Sequence, residues 1–509
     1  MEKELTDITK KSSYVFLGKI IGVIFGLIMN LIIARLYGAE LYGRFIYIYT
    51  FLSFFPSLTS LGLRNGLIYF IPKYTTNEDT EKRNTLITNT FILTTILSII
   101  VITIIYLNSE FISTNLLNNQ ELSPLIKIMS PLIILLTLNT ISQGVFRGKM
   151  EIKDFIIGKD LLMPSIKLLV ITVLYFLGLK IEGLILGYYI GFIVSVVYYL
   201  VKIILNNNIK LKDVKLKNRK LIYSTFKFSL PLFLTGFLAF FVNKTDTFMI
   251  GYFLGDAEVG IYNIALRIGT MSSFVLVAFN TTFAPMISNL YEQNKMKELA
   301  SIYKIITKWI LTINLITFSL FVLFSNEIMM FFGDDFSAGA NALIFIGIGQ
   351  IVNVIVGPAG YLNIMTGKPK YELYNNFIVL ITNITLNYMM IPIYGINGAA
   401  IASAISVGFI NVIRLILVYK ELSIHPYSTL YFKAITSILI SFIISKILNS
   451  VLNIFWIMQV IIVGVFMIFL FIIIYYNLGL SDEDHFILNK IKNKVLSLKK
   501  NVINFISLE

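Results

Sequence analysis

Residues 244–267 read KTDTFMIGYFLGDAEVGIYNIALR, and residues 27–50, LIMNLIIARLYGAELYGRFIYIYT, follow the same plan. Each is an apolar run ending in a turn spelled glycine, four residues, glycine, one residue, aromatic. The first copy is Gly38, Gly43 and Phe45, and the second is Gly255, Gly260 and Tyr262, at a constant offset of 217 residues. The echo continues further along. Gly148 after one apolar run matches Gly367 after another, and Gly178 and Gly183 match Gly395 and Gly398. An internal repeat of this length among apolar segments implies two related halves with a site between them.

The 509 residues are 57% hydrophobic and 14% charged, with a mean hydropathy of +0.81. A soluble fold cannot bury that much apolar surface, whereas a polytopic membrane protein places it against lipid. Fourteen apolar runs between residues 14 and 476 reach the roughly 20 residues needed to cross the hydrocarbon core. They are apolar on all sides, so helices are expected rather than strands. The expected fold is an all-α polytopic membrane protein of about fourteen transmembrane helices: two six-helix lobes in parallel repeat plus two C-terminal helices. The N-terminal lobe falls at 1–205, a basic cytoplasmic linker at 206–220 and the C-terminal lobe at 221–421. Spans thirteen and fourteen fall at 422–476, and a cytoplasmic tail at 477–509.

The formal net charge is +14, but the basic residues sit in short loops that alternate with acidic ones. Lys73, Lys82 and Arg83, then Arg147, Lys149 and Lys153, then Lys210 to Lys220 mark one side; Glu110, Glu121, Glu182, Asp256 and Glu258 mark the other. The positive-inside rule accounts for this pattern without nucleic acid and places both termini in the cytoplasm. The opening MEKELTDITKKSSY reads as an uncleaved cytoplasmic leader. There is no Cys, and the two His, His425 and His485, lie outside the apolar runs, so neither a thiolate chemistry nor a His-ligated metal is expected. No catalytic motif is found: GYLNIMTGK (360–368) has the wrong spacing for a P-loop. No enzyme activity, cofactor or metal is expected.

The stretches TDTFMIGYFLGDAEVGIYNIALRIG (245–269) and GKPKYELYNNFIVLITNITLNYMMIPIYGINGAAIASAIS (367–406) carry a resemblance. Through Asp246, Gly251, Gly255, Gly260, Tyr262 and Ala265 in the first, and Gly367, Asn383, Asn387, Pro392, Gly395 and Gly398 to Ala400 in the second, the chain resembles the polysaccharide-exporter branch of the multidrug/oligosaccharidyl-lipid/polysaccharide superfamily. The resemblance implies a flippase of the cytoplasmic membrane that carries lipid-linked oligosaccharide or polysaccharide repeat units across by alternating access. Its partners would be the lipid-linked glycan, membrane lipids and glycan-assembly proteins. With no nucleotide-binding domain fused, the energy source is an ion gradient (Na+ or H+), the membrane potential or the cargo gradient. The alternatives are a cation-coupled multidrug antiporter of the same superfamily and a membrane glycosyltransferase or polymerase. The last is disfavoured because no outer loop exceeds about 15 residues, a connecting length.

Charges within spans are the candidate site, since burying one in hydrocarbon costs a few kcal/mol on insertion scales. These are Lys19, Arg64, Lys167, Lys244, Asp246 and Arg267, joined by Asn383 and Asn387 at i and i+4. A polyprenyl pyrophosphate headgroup suits a cavity lined by Arg forks and Lys point charges. Each has a plainer alternative. Lys19 can snorkel to the cytoplasmic edge. Lys167 has only Leu386 at its repeat-related position. Asp246 and Arg267 can form a salt bridge across the glycine turn, which would leave Lys244 as a free cation. Asn383 and Asn387 can bond a neighbouring helix instead of sugar hydroxyls. Arg414 and Lys446 are read as snorkelling, and the tyrosine pairs 188–189, 198–199 and 475–476 as an interfacial belt.

Overall fold

The computed structural model describes residues 2–207, 219–452, 454–479 and 484, with side chains for 22–205, 223–280, 283–429, 431–452, 454–479 and 484. Most of the basic stretch 206–220 and of the tail, His485 included, lies outside the described residues, and so does the Lys19 side chain. The described elements are all helices. Nine are long and apolar enough to cross a membrane, or eleven when each of two bent pairs is taken as one span. The chain is a multi-pass membrane protein.

The turn glycines explain how the long apolar runs are cut. Helix Glu2–Leu52 breaks at Gly38 (φ 70°), and helix Pro369–Leu422 breaks at Gly395 (φ 58°). Gly255 (φ 119°) separates helix Arg219–Phe253 from Asp256–Met271, and Gly178 (φ 87°) precedes helix Ile181–Asn207. All four repeat positions therefore take the left-handed backbone that only glycine adopts without strain. The Gly148 and Gly367 pair behaves differently. Gly367 (φ 86°) follows helix Ala359–Met365, whereas Gly148 ends helix Leu132–Gly148 and Met150 takes the positive φ. Elsewhere Pro131 marks a 50° bend between Gln120–Met129 and Leu132–Gly148, because it cannot donate to the preceding turn.

The helices gather into two compact units. One comprises Met1–Leu266, Met329–Ala342 and Asn376–Ser403. One of its cores is formed by Leu63, Leu67, Ile71, Leu86, Ile141 and Phe146, with Tyr199 and Ile203 closing it. The stripe Gly183, Gly187, Gly191 lets helix Ile181–Asn207 lie on helix Met163–Phe176: side chains at Gly187 and Gly191 would overlap Ile171 and Lys167. The other unit comprises Arg267–Ile328, Leu343–Asn375 and Ala404–Glu509. Its core includes Phe283, Ile287, Leu299, Tyr303, Ile310, Val354, Leu362 and Val418.

Two ion pairs with a buried member help to tie this second unit. Arg414, read from sequence as snorkelling, instead grips Glu372 with Nε (3.1 and 3.2 Å) and Nη2 (2.6 Å), joining the two halves of helix Pro369–Leu422. Glu372 is buried, so the fork-to-carboxylate geometry, rather than water, satisfies both charges. Lys308, also buried, donates to both oxygens of Asp484 at 2.8 and 2.9 Å, and Trp309 Nε1 and Tyr475 OH donate to the same carboxylate. Tyr475 is thus a structural donor to Asp484.

Burial raises the Asp484 carboxyl, but the Lys308, Trp309 and Tyr475 donors outweigh it and bring it down to about 2 from its ordinary 3.8. A carboxyl depressed on folding contributes stability that is complete above its ordinary value and is lost as pH falls toward its folded one. Asp484→Asn is therefore expected to lower unfolding stability by about 3 kcal/mol at pH 7, since the buried Lys308 loses the two carboxylate oxygens that Asp484 presents to it. The gap between variant and parent should close between pH 4 and 2. Thermal melts in detergent across that range check both statements.

Candidate functional site

Two hairpins, each made by a repeat glycine, converge on Asp246. Helix Arg219–Phe253 carries Asp246, and the reversal at Gly255 returns Tyr262 on helix Asp256–Met271 to its side. Asn383 and Asn387 precede the break at Gly395 in helix Pro369–Leu422, and Ser403 follows it. Asp246 Oδ1 accepts from Asn383 Nδ2 (3.1 Å) and Asn387 Nδ2 (2.7 Å), and Oδ2 accepts from Tyr262 OH (2.6 Å) and Ser403 Oγ (2.5 Å). Asn387 Nδ2 also donates to Asn383 Oδ1 (3.0 Å). Asp246, Tyr262, Asn383 and Asn387 are all buried.

The charge is therefore met by four neutral donors, and no Lys or Arg pairs with it among the described residues. This differs from the salt bridge considered for Asp246 and Arg267: Arg267 lies five residues beyond Tyr262 and is exposed. Lys244 is half-buried and is not free. Asn243, which shares a helical face with Asp246, is exposed and donates to the Ala239 carbonyl (2.6 Å).

The cluster is rich in hard oxygen. Two carboxylate oxygens, the Tyr262 and Ser403 hydroxyls and two amide oxygens lie within one hydrogen-bonded group, and Asn387 Oδ1 is buried with no partner. Rotation of an amide exchanges its N and O, so the asparagines can present either. One net negative charge among neutral oxygens matches a proton or a monovalent hard cation, whereas thiolate- and imidazole-seeking metals have no ligand here. Among the described residues no group of three His, Cys, Asp or Glu could hold a metal ion.

The candidate cations separate into two kinds. Lys167 is buried with its ammonium over the rings of Tyr188 (4.0 Å) and Phe192 (3.7 Å). Cation–π attraction stabilises it there, with Gly191 against its stem. Tyr188 is therefore packing, as is Tyr199, which is fully buried and donates to the Phe155 carbonyl. Arg64 is different. It is half-buried, its Nε is buried without a hydrogen bond, and another cation, Arg147, acts on its charge.

Sequence reasoning had selected Asp246, Asn383 and Asn387, and the structure brings these three together. It missed Tyr262 and Ser403 as donors. For Tyr262 a signal existed: the repeat-related residue is Phe45, so the second copy alone carries a hydroxyl. Ser403 stands in an Ala- and Ser-rich run that marks close helix packing and gives no such contrast.

The family model described as polysaccharide biosynthesis protein matches residues 8–291, over half of the chain. The MatE model matches residues 231–389. The probable low-salt glycan biosynthesis flippase Agl15 of Haloferax volcanii is 30% identical over 234 residues, which are 45% of this chain and 47% of that protein. The probable flippase AglR of the same organism is 25% identical over 171 residues, 32% and 34% of the two chains. The chain thus spans about half or less of the length of these curated relatives. Among solved structures, the lipid II flippase MurJ in an inward closed conformation shares the fold with a TM-score of 0.71 at 20% identity, covering 92% of this chain and 99% of that one. An inward-facing multidrug resistance MATE family transporter follows with a TM-score of 0.67 at 14% identity, covering 79% and 94%. Repeat glycines, helical architecture and family match agree: the chain belongs to the polysaccharide biosynthesis protein family, in the polysaccharide branch of the multidrug/oligosaccharidyl-lipid/polysaccharide superfamily.

Proposed function

We propose that this protein flips lipid-linked oligosaccharide or polysaccharide repeat units, carried on a polyprenyl pyrophosphate, across the cytoplasmic membrane by alternating access of two six-helix lobes. Both termini are cytoplasmic in this reading, and the chain is a transporter, not an enzyme. The observation that carries it is the 30% identity to a probable glycan biosynthesis flippase. Arg64 supplies a matching chemistry, an interior guanidinium with no carboxylate partner among the described residues. A guanidinium takes phosphate oxygens in bidentate fashion. Lys244 is assigned a supporting contact to the same headgroup, and Lys19, Lys167 and Arg267 are carried forward as candidate contacts to cargo. The Asp246 cluster is assigned to the coupling ion, Na+ or H+, whose binding exchanges with the donors now satisfying the carboxylate.

The Asp246 cluster also supports a second reading, a cation-coupled multidrug antiporter, since such a protein needs a buried acid inside a lobe. Depletion separates the two. The flippase reading expects sugar-linked polyprenyl lipid to accumulate on the cytoplasmic leaflet and to be translocated again by purified protein in liposomes. An unchanged leaflet distribution together with increased drug sensitivity overturns it in favour of the antiporter.

A further inference from the structure

The two copies of the glycine turn meet. A methyl group on Gly43 would overlap the Asp256 carbonyl oxygen, and one on Gly260 would overlap the Ala39 carbonyl oxygen and lie 3.0 Å from Gly43 N. The contact is reciprocal, as expected where symmetry-related pieces of a repeat touch. Only hydrogen at both positions allows so close an approach.

A charged shell surrounds this contact. Arg44, next to Gly43, donates through Nε to Asp256 Oδ2 (2.9 Å) and through Nη2 to Glu121 Oε2 (2.8 Å). Asn119 Nδ2 donates to the same Asp256 oxygen (3.1 Å). Ten residues beyond Arg44, Phe54 packs on Phe237, Phe240 and Phe241 with ring centroids 5.2 to 5.5 Å apart. An ion-paired rim thus stands over a phenylalanine tier on the side that the charge pattern assigns to the exterior.

We infer that Gly43–Gly260, with the Arg44–Asp256 ion pair, forms an outer latch that closes the exterior end of the pathway and must part in every transport cycle. The inference rests on the alternating-access reading above and adds the residues that hold one end shut. No pyrophosphate headgroup passes where two backbones touch without side chains between them, so the contact and an exterior exit exclude one another. The ion pair suits a contact that is made and broken. Arg44 is partly exposed, Glu121 is largely exposed, and Asp256 Oδ1 is buried without a hydrogen bond. Arg44 reaches water from its exposed side, and opening hydrates Asp256, its unpaired oxygen included.

The chain has no Cys, so reporter thiols are unambiguous. Ala39 is buried under the latch, and Ala39→Cys reports opening through reaction with a membrane-impermeant maleimide added from outside. Arg44→Ala in that background is expected to raise the labelling rate about tenfold by shifting the population toward the open state. Arg44→Lys, which keeps the charge, should raise it far less. In a separate protein, Arg44→Cys with Asp256→Cys, a short thiol cross-linker should arrest translocation in proteoliposomes, and a cleavable linker should restore it on reduction. Equal labelling of Ala39→Cys with and without Arg44→Ala, or undiminished translocation after cross-linking, overturns the latch. The labelling arm needs no cargo, so it still decides the latch if the glycan assignment fails.

Discussion

Asp246→Asn is expected to reduce translocation in proteoliposomes about 100-fold and to abolish its dependence on an imposed Na+ or H+ gradient, while the protein inserts and folds. The substitution keeps size and planarity but removes the single negative charge of the cluster. It also turns one acceptor oxygen into a donor facing Tyr262 OH, Ser403 Oγ or the asparagine amides, all of them within 2.5 to 3.1 Å of Asp246. A proton or a monovalent cation then has no counter-charge to bind. A hundredfold loss is about 2.7 kcal/mol, the scale of one charge-assisted interaction in a dry site. Folding should survive, because exchanging a buried charge for a neutral amide removes a desolvation cost at the same time. A melting temperature within a few degrees of the parent, together with lost gradient dependence, is the expected pair of results. Parent-like rates with intact gradient dependence would remove Asp246 from coupling.

How much of this was legible before the structure depends on the range of each interaction. Gly38, Gly178, Gly255 and Gly395 could be read because a left-handed residue between apolar runs is a local requirement, set by the backbone alone. The stripe Gly183, Gly187, Gly191 was legible for the same kind of reason, a spacing fixed by the helix. Asp246, Asn383 and Asn387 stood out because polar side chains are costly in hydrocarbon wherever they point. What could not be read is which distant group answers each one. Arg44 and Asp256 are 212 residues apart and Arg414 and Glu372 are 42 apart; sequence marks the charges but not the meeting. Lys167 reads as a cavity cation until Gly191 admits its stem between two aromatic rings. The Gly148–Gly367 match is a spacing without a shared backbone, since Met150 takes the turn in the first copy.

Arg64→Ala is expected to abolish export, at least about 100-fold in translocation, with little change in the amount of folded protein. The reason is what Arg64 lacks. Three other interior cations among the described residues are compensated: Lys308 by Asp484, Arg414 by Glu372, Lys167 by two rings. Arg64 carries its charge beside Arg147 with a buried, unbonded Nε. Helix Leu132–Gly148 holds it in place, since a methyl on Gly144 would press on the Arg64 carbonyl oxygen and Cγ at 3.0 and 3.2 Å. Partly burying a guanidinium without a carboxylate partner is unfavourable, and a structural role would leave that cost standing. An anionic headgroup that enters and leaves removes it for part of each cycle. Arg64→Ala then relieves the resting protein and removes the fork that binds the cargo. Arg64→Lys retains the charge but not the two parallel bonds, so an intermediate rate is expected. Gly144→Ala should act in the same direction as Arg64→Lys, by displacing the guanidinium rather than deleting it. Lys244→Ala serves as the companion, since it tests a second cation assigned to the same headgroup. Full translocation rates in both Arg64→Ala and Lys244→Ala, measured with a polyprenyl pyrophosphate sugar in liposomes, would mean that interior cations do not hold the cargo.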